Sequence, residues 1–278
     1  MSVTLPSLNL ADWVQTRDAI HQYARIMGKI RGFYMPKAKH WWHITLTVNT
    51  HGLTTTPFPV NGRNLEMQLD LTSHQLSIYS DSGWNCSIPL KGNSAAGMRQ
   101  QITQLLATQG IDLDEQPLSA FDDENILTYD ADAADDFRRA LCWIDVVFRT
   151  FKGGLRQETS PVQLFPHHLD IAMNWFSGRL VSGVDPADEE NADEQMNFGF
   201  VSGDASIDEA YFYVTAYPMP ENWSDLALPE GAYWHSEGWI GAILPYARLL
   251  EANDPQGMLL EFLQQVQGHG AALMNSRS

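Results

Sequence analysis

Two short stretches gather four of the nine histidines beside aromatic or apolar residues: His40-Trp41-Trp42-His43 and Pro166-His167-His168-Leu169-Asp170. Each runs into an alternating segment, residues 44–48 in the first case and 171–175 in the second. An imidazole can exchange a proton near neutral pH, ligate a metal or donate a hydrogen bond. Successive side chains of a strand point to opposite faces, so only residues of equal parity cooperate there. Read as strands, His40 shares a face with Trp42, Ile44, Leu46 and Val48, an apolar set. His43 shares one with Trp41, Thr45, Thr47 and Asn49. His167 goes with Leu169, Ile171, Met173 and Trp175, while His168 goes with Asp170, Ala172 and Asn174. The polar-face candidates are therefore His43, His168 and Asp170.

His168-Leu169-Asp170 is also a His-x-Asp step, with His235 and then Arg248 further along. That order matches the two-histidine, one-carboxylate iron site of non-haem oxygenases, which leaves positions open for substrate and oxygen. A metal reading would use His168, Asp170 and His235. The step has low specificity, because His235-Ser236-Glu237 is another of the same kind. Such enzymes also need a continuous barrel of strands, which the helix-interrupted pattern does not favour. Hydrogen-bonded structural histidines are the plainer alternative. Other catalytic templates are missing: there is no Gly-x-Ser-x-Gly, no phosphate-binding glycine loop and no Cys-x-x-Cys. The acidic run from Asp185 to Glu194 lacks the ligand spacing of a calcium hand and reads as a solvated loop.

The elements that would position these residues follow from periodicity. Leu10, Trp13, Ile20, Ala24 and Met27 form a helical stripe after Asn9 and Asp12, which resemble an N-cap and its reciprocal acid. Arg17 and Arg31 lie on that stripe, each expected to lay its stem along the core and send its head to solvent. After Pro36 the period changes to two. Segments 41–50, 53–60, 64–71, 74–80 and 84–90 alternate, with turns such as Asn61-Gly62 between them, as in an antiparallel meander. A helix is expected over 94–109. Residues 110–130 are rich in acids and turn formers.

Asp132 and Asp135 then cap an expected helix over 133–152, followed by strands near 161–166, 169–176, 196–201, 208–217 and 239–244. Asp254-Pro255 opens a last helix with Leu259, Phe262, Leu263 and Val266 inward. The expected fold is α+β, with antiparallel sheets and flanking helices. Helix, meander, helix occurs twice, so the halves are expected to be pseudo-repeats: 1–110, a connection over 111–132, and 133–278.

Composition excludes several classes. The formal net charge is −17, against a nucleic-acid groove. The charge is uneven: residues 1–100 hold nine Lys and Arg against five Asp and Glu, whereas 101–278 hold eight against twenty-nine. A homo-oligomeric or intramolecular contact is compatible with that contrast, as is a plain acidic surface. No apolar run approaches the ~20 residues of a membrane span, and the first residues lack the pattern of a signal peptide. With two distant cysteines, Cys86 and Cys142, free thiols in a reducing cytoplasm are expected.

The chain resembles a bacterial domain-of-unknown-function family. The resemblance rests on Trp13, Thr16, His21 and Gly28-Lys29; on His40-Trp-Trp-His43 and Gly52-Leu-Thr-Thr; and on Ser160-Pro-Val and Pro166-His-His-Leu-Asp170. Phe176-Ser-Gly-Arg179, Asn197-Phe-Gly-Phe200 and Tyr211-Phe-Tyr-Val-Thr-Ala-Tyr-Pro218 extend it. It implies no activity, substrate or cofactor. Relatives with Gly and a small residue in place of the His-His pair imply that this pair is not required of every member.

Three readings follow. The first is a small-molecule-binding protein or enzyme whose pocket is lined by Arg17, His21, His43, His168, Asp170 and Arg179, with aromatic walls. The second is the iron enzyme described above. The third is a non-enzymatic interaction module whose basic N-terminal third docks an acidic surface.

Overall fold

The computed structural model describes residues 4–114, 116–188 and 190–275. Glu189 of the acidic run and the first three residues of the N-terminus lie outside them. The chain divides into two compact units. The N-terminal unit comprises Ala11–Cys142 with Gln163–Leu169, and the C-terminal unit holds the described residues of Met1–Leu10, Trp143–Val162 and Asp170–Ser278.

The N-terminal unit is organised by α1 (Leu10–Tyr34), whose expected stripe is buried at Trp13, Ile20, Ala24 and Met27. Six strands follow: β1 (Thr47–Asn49), β2 (Gly52–Thr54), β3 (Phe58–Val60), β4 (Arg63–Asp70), β5 (Gln75–Ser80) and β6 (Asn85–Pro89). They pair antiparallel in the order β1-β2-β4-β5-β6, with β3 also on β4. Asn61 and Gly62 join β3 to β4 with φ of 48° and 83°. Two left-handed residues match the strand twist in a two-residue hairpin, and Asn-Gly adopts them readily. Leu65, Met67, Leu69, Leu76, Ile78 and Ile88 are buried. Helix α2 (Ala95–Ala107) begins where the Ser94 hydroxyl accepts the Gly97 N–H at 2.9 Å.

Helix α3 (Ala131–Gly153) gives its residues up to Cys142 to this unit. Its cap is Asp130, which accepts the Ala133 N–H at 2.9 Å, two positions before the expected Asp132. A short strand, β7 (Gln163–Phe165), touches the sequence before β1 through Leu164, which exchanges two 2.8 Å backbone bonds with Leu46.

The strand expected over 41–50 forms only at 47–49. Lys39–Ile44 is a 3-10 segment interrupted by His40 (φ 52°, ψ 30°) and Trp41 (φ 60°, ψ 22°). Left-handed backbone at a residue with a Cβ costs roughly 1–2 kcal/mol, so two in succession need support. Arg31 supplies it. Its guanidinium donates to the carbonyls of Trp42 and His43, and its Nε donates to that of Thr55 at 2.9 Å. The side chain is buried rather than reaching solvent, which corrects the expectation for Arg31. Backbone acceptors that a sheet would have satisfied are satisfied by a helix side chain instead.

The C-terminal unit carries β8 (Asp170–Leu180), β9 (Asp193–Val201), β10 (Tyr211–Tyr217), β11 (Tyr233–His235) and β12 (Gly241–Pro245). They pair antiparallel in the order β8-β9-β10-β12-β11. Met173, Trp175, Phe198 and Phe212 are buried, and α3 adds Phe151, 5.0 Å from Phe198, and Phe148, 6.2 Å from Phe212. Helices α4 (Tyr246–Glu251) and α5 (Pro255–Asn275) complete the unit. Asp254 accepts the Gly257 N–H at 3.0 Å, and Leu259, Phe262, Leu263 and Val266 are buried, as the periodicity predicts. Two antiparallel sheets with flanking helices make this an α+β protein. None of its described helices is long and apolar enough to cross a membrane.

Candidate functional site: a cationic cavity on helix α1

Glycine spacing on α1 decides what can approach it. Gly28 and Gly32 are four residues apart and share one helical face. A Cβ on Gly28 would lie 2.4 Å from Pro166 Cγ, and one on Gly32 would lie 2.6 Å from Ile44 Cγ2. Both segments that carry the histidine clusters therefore close directly onto the helix backbone. The distorted 39–44 segment and the turn before β8 meet α1 here, although they were expected as paired strands.

A cavity of about 400 Å³ opens between these pieces. Pro117, Pro166, Ile44 and Phe33 form apolar wall, while Trp41 stacks on His43 with ring centroids 5.8 Å apart. Trp41 is 51% exposed and Phe33 46%, so two aromatic side chains of this lining present apolar surface to solvent. Arg25 and Lys29, again four residues apart, bring positive charge to the same lining. Among the described residues that line it, none is acidic. Arg25 donates to Gln22 Oε1 at 3.3 Å and sits 5.4 Å from the Phe121 ring centroid, in cation–π range. Neither cation forms an ion pair among the described residues.

Two imidazoles here are set by backbone contacts, and a third, His167, packs against rings. His43 Nδ1 accepts the Ala38 N–H at 3.3 Å, so the neutral ring carries its proton on Nε2. His21 Nε2 donates to the His167 carbonyl at 3.1 Å, which ties the turn to α1. Burial lowers the His21 pKa, although the bond to that carbonyl acts in the opposite direction. The His167 pKa is pushed down to about 4, first by desolvation and then by the positive charges of His168, His21 and Lys29. At pH 7 its ring is neutral and able to accept a proton or a hydrogen bond.

The expected site residues fall into two groups. His21 and His43 belong to the N-terminal unit, where His43 lines the cavity and His21 holds the backbone of His167. The imidazole that accompanies His43 in that lining is His167; His168 packs beside it with centroids 4.4 Å apart. Arg17 contacts the Asp18 carboxylate at 2.8 Å. Asp170, Arg179 and His235 belong to the C-terminal unit. Asp170 accepts the Tyr213 hydroxyl at 2.7 Å, Arg179 pairs with Glu194 at 2.8 Å, and His235 Nε2 donates to the Glu237 carbonyl at 2.9 Å. Among the described residues, no group of three or more His, Cys, Asp or Glu could hold a metal ion.

Sequence reasoning missed Arg25, Lys29, Trp41 and His167. Parity assigned His167 to an apolar face because the segment was read as a strand; it lies instead in a turn that ends at Leu169, with φ of 55°. A signal was present in the Arg25-x-x-Gly28-Lys29-x-x-Gly32 spacing, which puts two cations and two close-approach positions on neighbouring faces of one helix.

No curated protein matches the chain, and no solved structure does. Residues 5–276 match the family model of DUF5996, described as a family of unknown function, and the chain belongs to that family.

Proposed function

We propose that the protein binds a small molecule in the cavity on α1, and that the ligand lies against Trp41. The observation that carries this reading is the state of Trp41 itself: half-exposed, in left-handed backbone, beside a cavity of about 400 Å³. Backbone strain of this kind costs of order 1–3 kcal/mol and collects at ligand clamps, where the surrounding structure enforces it. Packing gives no account of an indole presented to water. A ligand ring would remove that apolar surface from solvent, at roughly 25 cal/mol per Å². Apolar walls with a few polar groups at fixed positions are the ordinary form of such a site.

The test is a fragment screen by protein-observed NMR, together with mass spectrometry of gently purified protein for a retained compound. Planar fragments should shift the amides of residues 28–32, 39–44 and 167, and Trp41→Ala should weaken them about tenfold, the equivalent of 1.4 kcal/mol. The reading fails if fragments collect only elsewhere, for instance in the cleft lined by Trp143, Leu249 and Pro255.

A further inference from the structure

We infer that the cavity on α1 selects an organic anion, a planar ring bearing a carboxylate or a phosphate monoester, whose oxyanion meets Arg25 and Lys29 while its ring meets Trp41. This inference rests on the binding reading above and narrows it to one chemical class. The charge pattern carries it. In a chain of net charge −17, two cations share one lining with no acidic side chain among the described residues there. Several other arginines, on α3, are paired within one turn, Arg138 with Asp135, Arg139 with Asp136 and Arg149 with Asp145. Gathering like charge without a counter-charge is unfavourable in the empty protein, and an incoming anion relieves it.

The neighbouring imidazole suits the same ligand. Because Nδ1 of His43 is occupied by the Ala38 N–H, the nitrogen left to the ligand is a donor, which complements an oxyanion rather than a cation. Arg offers a planar fork and Lys a mobile point charge, a combination that accepts either a carboxylate or a tetrahedral phosphate. Trp41 is a flat, exposed surface for an attached ring.

The experiment titrates the intact chain with 2-naphthoate, 2-naphthyl phosphate and the neutral 2-naphthamide, following amide shifts at residues 28–32 and 41–44. At least one anion should bind ten or more times tighter than the amide, in line with about 1.5–3 kcal/mol for a hydrogen bond to a charged group. Lys29→Gln, at an exposed position, should shrink that gap several-fold. The tighter of the two anions identifies the oxyanion. Equal affinity for amide and anions, or a gap untouched by Lys29→Gln and by Arg25→Met, would overturn the anion inference and leave the binding site standing. Absence of any shift at these residues with all three probes would remove the site and the inference together.

Discussion

Arg179 of the C-terminal unit and Arg25 of the N-terminal unit are both basic side chains beside aromatic sheets or helices, and their partners differ in kind. Arg179 reaches the Glu194 carboxylate at 2.8 Å, Ser177 donates to that same carboxylate at 2.5 Å, and the Met274 carbonyl accepts a further guanidinium N–H. The Tyr213 hydroxyl is likewise spent on Asp170. Arg25 has a glutamine oxygen and the face of Phe121, with Lys29 one turn away and no ion pair to either among the described residues. A region built only to fold closes its charges on themselves, because a buried unpaired ion is costly. The N-terminal cavity holds two cations with no acidic partner among the described residues, which the proposed anion would supply, and it holds the distorted backbone as well.

Three measurements would break or sharpen this contrast. Arg31→Met should have the largest effect. It strips the His43 carbonyl of its described donor and leaves those of Trp42 and Thr55 to the Thr45 and Thr56 hydroxyls, at about 1–3 kcal/mol for the group left unsatisfied. Chemical denaturation should show a loss of about 2–3 kcal/mol, and the amides of 39–44 should lose dispersion. A variant within 1 kcal/mol of the parent would mean that the carbonyl clamp does not hold the segment.

In the C-terminal unit, Arg179→Ala leaves the Glu194 side chain, 7% exposed, with Ser177 as its described partner. The expected loss is about 2 kcal/mol, with probe binding at the α1 cavity unchanged. Restored stability in Arg179→Ala/Glu194→Gln would show that the penalty is the orphaned charge. A change in probe affinity would erase the distinction between a structural and a ligand-facing cation.

The smallest effect concerns pH. The folded His167 pKa of about 4 lies below the ordinary 6.5, so the folded state binds fewer protons than the unfolded state between those values. Its contribution to stability is full above pH 6.5 and is lost as pH falls towards 4. His21, also lowered, acts with the same sign. The parent minus His167→Gln difference in unfolding free energy should therefore slope over that window and stay flat above it. A flat difference throughout would show that the His167 ring, on an exposed residue, is not desolvated by its neighbours.

Much of the fold was legible because it depends on local periodicity. The stripe of α1, the Asn61-Gly62 hairpin and the Asp254-Pro255 start of α5 each follow from residues adjacent in the chain. Helix α4 was not expected, since six residues are too few to show a period. The candidate site was legible only in part. His43 and His21 were anticipated, but the parity rule that excluded His167 presumed strands at 41–50 and 169–176.

What the sequence determined by itself was the α+β class, the positions of most elements and the acidic balance. Tertiary structure alone decided that Lys39–Ile44 would leave the strand pattern, because a guanidinium arriving from α1 takes up the carbonyls of Trp42 and His43. It also decided that Pro166 and Ile44 would rest on Gly28 and Gly32. Short-range steric preferences are written in neighbouring residues. A cavity is defined by surfaces more than a hundred residues apart, and no window of sequence contains both of its walls.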